Sequence, residues 1–274
     1  MKVNIYYFSG TKNTYLVAET LKNELEKLGT EALLFNVEKA PAFAPCNALV
    51  IAYPVWGFGA PKIVTNFVKN LPLDTTKTYF LKTSGEPLSL NDASSIGLAK
   101  TLDKKGYMVS GEYHYVMPYN MVFRHDDALA SKMLRTAKER LKITAQEISA
   151  GVVKPISFPL KARIMRAVCS IEHVGMRLNG HLYSVNKKTC IACNKCLNNC
   201  PTKNITIQDG KYHFAGNCMG CARCAFNCPT NAINTGLLNF LKVNGPYDFS
   251  LTDKNPVLPK YCRKSYEKYF SIEK

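Results

Sequence analysis

The sequence predicts an α/β protein in which a doubly wound parallel sheet is followed by a small α+β module. Two observations support this architecture. Between residues 2 and 118, β-branched and aromatic runs alternate with segments of helical periodicity, which is typical of a parallel sheet covered by helices. From Cys190 to Pro229, a cysteine-rich motif occurs twice. The 274 residues are sufficient for one medium domain and one small one.

The first predicted strand, Lys2 to Phe8, ends at a polar loop that opens a helix from Thr14 to Lys27. The loop presents hydroxyl and backbone N–H groups at a helix N-terminus, where the helix dipole also favours an anion. It matches neither a Walker loop nor G-x-G-x-x-G. Taken alone, it therefore leaves a phosphate site and an ordinary helix cap as alternatives. The loop residues are Ser9, Gly10, Thr11, Lys12, Asn13 and Thr14.

Further strands and helices continue the alternation. Strands are predicted at residues 31–35, 48–53, 78–82 and within 107–117, and helices at 62–70 and 91–105. Parallel strands share their carboxyl edge, where ligands bind in such sheets, so the loops after strands one, three and four are expected to meet there. The later two loops comprise Pro54, Val55, Trp56, Gly57 and Phe58, and Thr83, Ser84, Gly85 and Glu86.

The three loops S-G-T-K-N-T, V-W-G and T-S-G together resemble those of a flavodoxin over residues 1–118. The resemblance implies a flavodoxin-like fold with FMN as cofactor. It implies that the first loop holds the phosphate, that Trp56 stacks on the isoalloxazine, that the Gly57 peptide lies near flavin N5 and that residues 83–86 border the pyrimidine edge. Trp56 could otherwise be a core or rim aromatic residue. Phe58 and Tyr119 are weaker candidates for flavin packing.

Two features depart from the flavodoxin pattern. Lys12 stands where flavodoxins usually have glycine, although a lysine beside a phosphate is electrostatically reasonable. The domain also lacks the acidic surface of free flavodoxins, so their partners are not expected to bind this chain.

The cysteine motif has the C-x2-C-x2-C-x3-C-P spacing that binds [4Fe–4S] clusters, with the fourth cysteine of each run ligating the other cluster. The second copy lies 28 residues after the first, the distance from Cys190 to Cys218. Zinc would leave the third and fourth cysteines without a role, and disulfides would require an oxidising compartment. The motif therefore predicts one cluster on Cys190, Cys193, Cys196 and Cys228, and a second on Cys218, Cys221, Cys224 and Cys200.

The remaining segments complete the predicted organisation. A helix from Asp126 to Gly151 closes the sheet, and an amphipathic helix from Leu160 to Leu182 either connects the domains, as we expect, or lies on a membrane. The domains are predicted at residues 1–151 (flavodoxin-like), 152–183 (connector), 184–236 (ferredoxin) and 237–274 (basic aromatic extension). The extension mixes aromatic and basic residues without any known nucleic-acid motif, so we expect it to pack back on the domains.

The formal net charge of +16 favours an acidic redox partner or an anionic membrane surface, unless the charge is simply spread over the surface; nucleic acid is not expected. No apolar run is long enough to span a bilayer and no signal sequence is evident, so the reducing cytoplasm is the expected compartment.

The whole chain resembles the flavodoxin–ferredoxin fusion proteins of anaerobic bacteria and archaea. This resemblance implies an electron carrier that relays single electrons between FMN and two [4Fe–4S] clusters, linking a soluble redox donor to an acceptor enzyme. Two alternatives stay open. One is a flavin-dependent reductase of a small molecule, supplied with electrons by the clusters; the other is a redox-sensing binding module.

Overall fold

The N-terminal half of the computed structural model, which describes residues 1–39, 42–252 and 256–271, is built on a five-stranded parallel sheet. The strands are β1 Lys2–Tyr7, β2 Glu31–Asn36, β3 Ala48–Pro54, β4 Lys77–Ser84 and β5 Met108–Val116. Their order in the sheet is β2-β1-β3-β4-β5. This is the doubly wound order of the flavodoxin-like fold, so the predicted fold class and all five predicted strands are confirmed.

Helices cover both faces of the sheet. They are α1 Asn13–Lys27 and α4 Asp127–Ser149 on one face, and α2 Lys62–Asn70 and α3 Ile96–Asp103 on the other. Alternate strand residues point to opposite faces, so Val3 and Ile5 pack with α1 and α4, whereas Tyr6 and Phe8 pack towards α2. Each face buries an apolar cluster, which is the main stabilising contribution in such a fold.

Within the α/β domain, the predicted helices agree with the structure to within two residues except at one boundary. Asp126 caps α4 as predicted, because its side chain accepts a hydrogen bond from the Leu129 N–H at 2.9 Å. The helix predicted from residue 91 begins instead at Ile96, after a 3-10 turn over Ser89–Ser95. Asn91 in that turn is buried, and its amide donates to Ser84 Oγ at 3.3 Å, which ties the turn to the end of β4.

The connector differs from the single helix predicted over 160–182. It forms α5 Leu160–Cys169 and α6 Ile171–Gly180, separated at Ser170, whose hydroxyl donates back to the Ala167 carbonyl at 2.7 Å. Both helices pack on the rest of the molecule through small or polar residues such as Ala162 and Asn179, and through Met176. The apolar face that the sequence predicts for docking points to solvent instead.

The cysteine-rich segment is a small α+β module with an internal repeat. Its elements are β6 Tyr183–Val185, α7 Lys195–Asn198, β7 Ile205–Gln208, β8 Lys211–Phe214, α8 Arg223–Phe226 and β9 Ile233–Thr235. β6 pairs with β9 and β7 pairs with β8, both antiparallel. The two short helices follow equivalent cysteines of the two copies, so the sequence repeat is also a structural repeat.

The C-terminal extension packs back on the molecule, as predicted. A 3-10 helix over Gly236–Leu241 follows β9, and α9 Arg263–Phe270 lies further along. Tyr266 in α9 is fully buried against the end of β5 and the start of α4. Tyr247 joins Ala130 of α4 to Phe226 of α8 in one buried cluster. Residues 253–255 and 272–274 of the predicted extension, including Lys254, lie outside the described residues.

Candidate functional site

A cavity of about 630 Å³ lies at the carboxyl edge of β1, β3, β4 and β5. Every loop residue that the sequence selects lines it except Lys12: Ser9, Gly10, Thr11, Asn13, Thr14, Pro54, Val55, Trp56, Gly57, Phe58, Thr83, Ser84, Gly85 and Glu86. The parallel sheet explains this convergence, because the ends of neighbouring parallel strands lie side by side. The fold therefore brings the three loops to one site.

The first loop forms a polar cradle at the N-terminus of α1. The Thr14 and Thr83 hydroxyls are 2.8 Å apart and connect it to the end of β4. The Asn13 amide donates to the Pro118 carbonyl at 2.7 Å, and the Asn120 amide donates to Thr11 Oγ1 at 3.3 Å. Ser9 Oγ is buried and has no hydrogen-bond partner among the described residues. Burying a hydroxyl without a hydrogen-bond partner costs free energy, so the loop is suited to bind a polar group of a ligand.

Lys12 lies on the opposite side of the same loop. It is the N-cap of α1 with φ of 74°, in the left-handed region that favours glycine, and its exposed side chain lines a second cleft between the two domains. The backbone conformation explains why the flavodoxin pattern has glycine here. The Lys12 side chain lines this second cleft, together with Ser9 and Gly10, and not the large cavity, so the role of Lys12 beside a phosphate stays a prediction.

The third-strand loop is a tight hairpin that positions Trp56. Trp56 and Gly59 exchange two backbone hydrogen bonds of 2.9 Å, and the intervening Gly57 and Phe58 have φ of 51° and 53°. Two successive positive φ angles are characteristic of a type I′ turn. The turn holds the indole at the cavity wall, as the sequence predicts, and also against the cysteine-rich module, which the sequence does not predict.

Glu86 is a buried carboxyl at the far side of the cavity. It accepts a hydrogen bond from the Tyr119 hydroxyl and one from the Asn91 amide at 3.4 Å. Burial raises the pKa of Glu86 despite these bonds, so its neutral form persists to higher pH than in water. The Tyr119 ring fills the space beside Gly85, where a Cβ would lie 2.3 Å from the ring. This side of the cavity is therefore built around a glycine.

The eight motif cysteines divide into two sets around two small cavities. One cavity is lined by Cys200, Cys218, Cys221 and Cys224, and the other by Cys190, Cys193, Cys196 and Cys228. These are the crossed sets that the sequence predicts, each with three cysteines from one run and one from the other. We call them the inner set and the outer set, since the first lies against the α/β domain and the second contains the exposed Cys193.

Within residues 1–39, 42–252 and 256–271, no group of three or more His, Cys, Asp or Glu side chains is arranged to hold a single metal ion.

The inner set directly contacts the loops of the large cavity. A Cβ on Gly10 would lie 2.6 Å from the Cys221 carbonyl oxygen, and a Cβ on Gly220 would lie 2.4 Å from Trp56 Cζ2. At both points only a glycine allows the two domains to approach this closely. The phosphate-loop candidate and the tryptophan thus both touch the Cys218–Cys224 segment.

Arg223 stabilises the contact between the two domains. Its guanidinium donates to the carbonyls of Ser9 at 2.7 Å and Gly10 at 3.0 Å, and it forms a salt bridge with Glu38 at 2.5 Å. It also donates to the Asn199 carbonyl at 3.0 Å, beside Cys200. One largely buried side chain therefore connects the first loop of the α/β domain to both cysteine runs.

Several cavity residues lie outside the loops that sequence reasoning selected. They are Asn91, residues 117–122 after β5, Glu172, Gly175, Met176 and Asn179 of α6, and Leu237, Leu238 and Leu241. Within residues 117–122, Tyr119 is already a weaker candidate from the sequence, and the position of the whole segment after a parallel strand is the signal that identifies it. The remaining residues come from segments distant in sequence and carried no such signal.

One family model matches part of the chain, and several solved structures are similar to it. Residues 189–232 match the family model of the 4Fe-4S dicluster domain. Solved structures similar to this chain include a Streptococcus pneumonia TIGR4 flavodoxin (16% identity, 56% of this chain and 100% of that chain, TM-score 0.40). Flavodoxin 2 from Bacillus cereus (15%, 55% and 99%, 0.40) and an NAD(P)H:quinone oxidoreductase from Methanothermobacter marburgensis (13%, 54% and 96%, 0.38) are also similar. No curated protein matches the chain.

The strand order of the sheet and the dicluster match together define a redox protein that carries iron–sulfur chemistry. The chain is a fusion of a flavodoxin-like domain with a ferredoxin-like 4Fe–4S dicluster domain.

Proposed function

We propose that this protein is an electron carrier that relays single electrons between FMN in the large cavity and two [4Fe–4S] clusters on the inner and outer cysteine sets, within a reducing cytoplasm. When bound, FMN supplies two-electron chemistry divided into single steps, and each cluster supplies one-electron chemistry. The observation that carries the proposal is the contact between Gly10 and Cys221, which leaves no room for a methyl group between the flavodoxin-like loop and the inner set.

The residues of the large cavity fit FMN in chemistry. The Ser9, Thr11 and Thr14 hydroxyls would hold the phosphate at the N-terminus of α1. The buried Ser9 hydroxyl has no hydrogen-bond partner among the described residues, and a phosphate oxygen would accept a hydrogen bond from it. Trp56 would cover the flavin ring on the side of the inner set. Glu86, with its raised pKa, and Tyr119 would border the polar edge of the ring.

The two cysteine sets would have different tasks. The inner set (Cys200, Cys218, Cys221 and Cys224) is covered by the first loop and Trp56, and it would exchange electrons with the flavin. The outer set (Cys190, Cys193, Cys196 and Cys228) has an exposed cysteine next to the exposed Ile191, and it would face a partner protein. We infer that electrons pass between the flavin and the outer set by way of the inner set, because the inner set touches the loops of the large cavity and the outer set is exposed.

The cofactor content tests the first part of the proposal. Anaerobically purified protein should contain about one FMN with eight iron and eight sulfide per chain. Eight iron without flavin, even after FMN is added, would contradict the relay and leave a ferredoxin with a recognition domain.

Electron redistribution tests the second part. After a brief photochemical pulse that reduces less than one site per molecule, flavin and cluster absorbance should re-equilibrate at a first-order rate that is independent of protein concentration. Arg223→Ala should slow this rate, since it releases the Ser9 and Gly10 carbonyls. The matched control is Arg124→Ala, because Arg124 also donates to interdomain carbonyls, those of Gly245 and Pro246, but away from the inner set.

A rate proportional to protein concentration would contradict the intramolecular relay. Steady turnover of a small molecule at the flavin, with no partner protein needed, would support the flavin-dependent reductase instead.

A further inference from the structure

The connector presents a row of large apolar side chains to solvent. Each of them is more than half exposed, and they recur at spacings of three or four residues along α5, α6 and the turn after α6: Leu160, Ile164, Val168, Ile171, Val174, Leu178 and Leu182. Within each helix this spacing places the apolar residues on one side. Single exposed apolar residues need no explanation, but a continuous row on a soluble domain marks an interaction surface.

The 3-10 helix that follows β9 extends this row. Asn179 of α6 fixes its position, because the Asn179 amide donates to the Thr235 carbonyl at 3.0 Å and accepts from the Leu237 N–H at 2.9 Å. Leu237 and Phe240 on this helix are 74% and 79% exposed. We call these two residues and the seven exposed apolar residues between 160 and 182 the apolar ridge.

The charges next to the apolar ridge are basic. Between residues 160 and 182 the chain has four basic side chains, Lys161, Arg163, Arg166 and Arg177, and one acidic side chain, Glu172. Lys161, Arg163 and Arg177 are exposed. Glu172 is exposed as well. It lines the large cavity, and its Oε2 lies 3.0 Å from where a Cβ on Gly57 would be, so the carboxyl lies on the cavity side of α6. With three exposed basic side chains and one exposed acidic one, the rim of the ridge has a net positive charge.

We propose that the apolar ridge docks this protein on the surface of a lipid bilayer that contains anionic lipids. An amphipathic helix with apolar residues on one side and lysine or arginine beside them lies in the headgroup region, where its basic groups meet anionic phosphates. A second copy is a poorer occupant, because it would place basic rims opposite each other in a chain of net charge +16. Among the described residues no helix could cross a membrane, and docking in the plane of the interface needs none.

The ridge lies next to the large cavity, so docking would also position that cavity. This consequence does not depend on the proposed relay. Leu237 belongs to the ridge and also lines the large cavity. Gly175 and Met176 of α6, the helix that carries part of the ridge, line the same cavity. A docked molecule would therefore hold the rim of the cavity at the membrane surface.

Vesicle co-sedimentation of the full-length protein with its cofactors, under anaerobic conditions, tests the proposal. The protein should bind vesicles of phosphatidylglycerol and phosphatidylcholine, bind pure phosphatidylcholine much less, and release from the former as salt rises. The double variant Val168→Gln/Ile171→Gln should lower the partition coefficient at least about tenfold, since two apolar side chains lose their lipid contact.

The control Leu73→Gln/Val257→Gln removes two side chains of similar exposure, 79% and 76%, away from the ridge, and should bind like the parent protein. Equal binding by both double variants, or no binding to anionic vesicles, would overturn the proposal.

A second pair of variants separates local charge from net charge. Arg163→Gln/Arg177→Gln should weaken binding to anionic vesicles about fivefold per charge, whereas Lys69→Gln/Lys104→Gln, which removes two exposed lysines elsewhere, should have little effect. Equal losses in both pairs would mean non-specific attraction and overturn docking through the ridge. Sedimentation velocity without lipid tests the other occupant of the ridge, a second copy of this chain. If the parent protein is a dimer and Val168→Gln/Ile171→Gln is a monomer, the ridge binds a second copy and the proposal of membrane docking is overturned.

Discussion

The two halves of the cysteine repeat share one backbone design. In the first half the Asn204 N–H donates to Cys200 Sγ, and in the second the Ala232 N–H donates to Cys228 Sγ, both at 3.2 Å. Short helices α7 and α8 both begin after a residue in the left-handed conformation. The ligand geometry therefore does not distinguish the halves.

The halves differ at the residues between the cysteines. Ile191, Ala192 and Lys195 of the first half correspond to Met219, Gly220 and Arg223 of the second. Ile191 is exposed, whereas Met219 packs against an apolar cluster of the α/β domain. Gly220 makes room for Trp56, and Arg223 binds the first loop. The comparison teaches that different residues at three equivalent positions allow one of the two sites to pack against the flavodoxin-like domain, whereas the other site faces solvent.

The largest expected effect concerns the crossed ligation, which places one cysteine of each half in the site of the other. Cys228→Ala should destroy the outer cluster, and Cys200→Ala the inner one, so that each variant retains about four of eight iron atoms. Iron and sulfide analysis with low-temperature EPR identifies which cluster remains. Loss of the inner cluster in Cys228→Ala would contradict the crossed sets.

The next effect concerns the arginine that distinguishes the second half. Arg223→Ala should cost about 3 kcal/mol, since it leaves Glu38 and two loop carbonyls without a partner in a partly buried interface. Anaerobic urea unfolding measures this cost. The equivalent change, Lys195→Ala, removes a side chain with no salt bridge among the described residues and should cost less than about 0.5 kcal/mol. Equal costs would show that the two halves are docked alike.

A smaller effect is expected at the glycine. Gly220→Ala should destabilise the protein by about 2 kcal/mol, because φ of 72° is strained for alanine and the added methyl group meets Trp56 and Met176. It should also change the fluorescence of Trp56, the only tryptophan in the chain. Ala192→Gly, at the equivalent position of the first half, should leave that fluorescence unchanged. An unshifted emission in Gly220→Ala would mean that Trp56 does not depend on this contact.

The smallest effect on stability is expected at the outward face. Ile191→Gln should change the unfolding free energy by no more than about 0.5 kcal/mol, as is usual for an exposed site. Its effect should appear instead in the second-order rate of electron exchange with an external ferredoxin, which should fall severalfold. Met219→Gln should do the reverse, lowering stability and leaving that second-order rate intact. If the external rate falls only in Met219→Gln, partners approach the inner face.

Local patterns were sufficient to predict the strands, most helices and the loops of the large cavity. β-branched runs at 48–53 and 78–82, for example, became β3 and β4 because an interior parallel strand is apolar on both faces. The order of the strands in the sheet determines which strand ends are neighbours. The convergence of the three loops could therefore be predicted from the strands alone.

The remaining features depend on contacts that sequence spacing does not encode. The periodicity of residues 160–182 identified an apolar face, but it could not show that the opposite side would pack and that Ser170 would interrupt the helix. Lys12 has a left-handed backbone conformation and lines the second cleft rather than the large cavity, which its residue type alone does not reveal. The Arg223 contact with Ser9 joins residues more than two hundred positions apart.

The exposure of the outer set also determines how the protein should respond to oxygen. Cys193 is exposed, whereas Trp56, Met176 and Arg223 cover the inner set. Oxygen should therefore attack the outer cluster first, as thiolate sites at the surface are oxidised before covered ones. In the proposed relay, brief aeration would then leave molecules that keep the flavin and the inner cluster but have lost the cluster that faces a partner protein. Electron exchange with a partner would be lost before exchange between the flavin and the inner cluster.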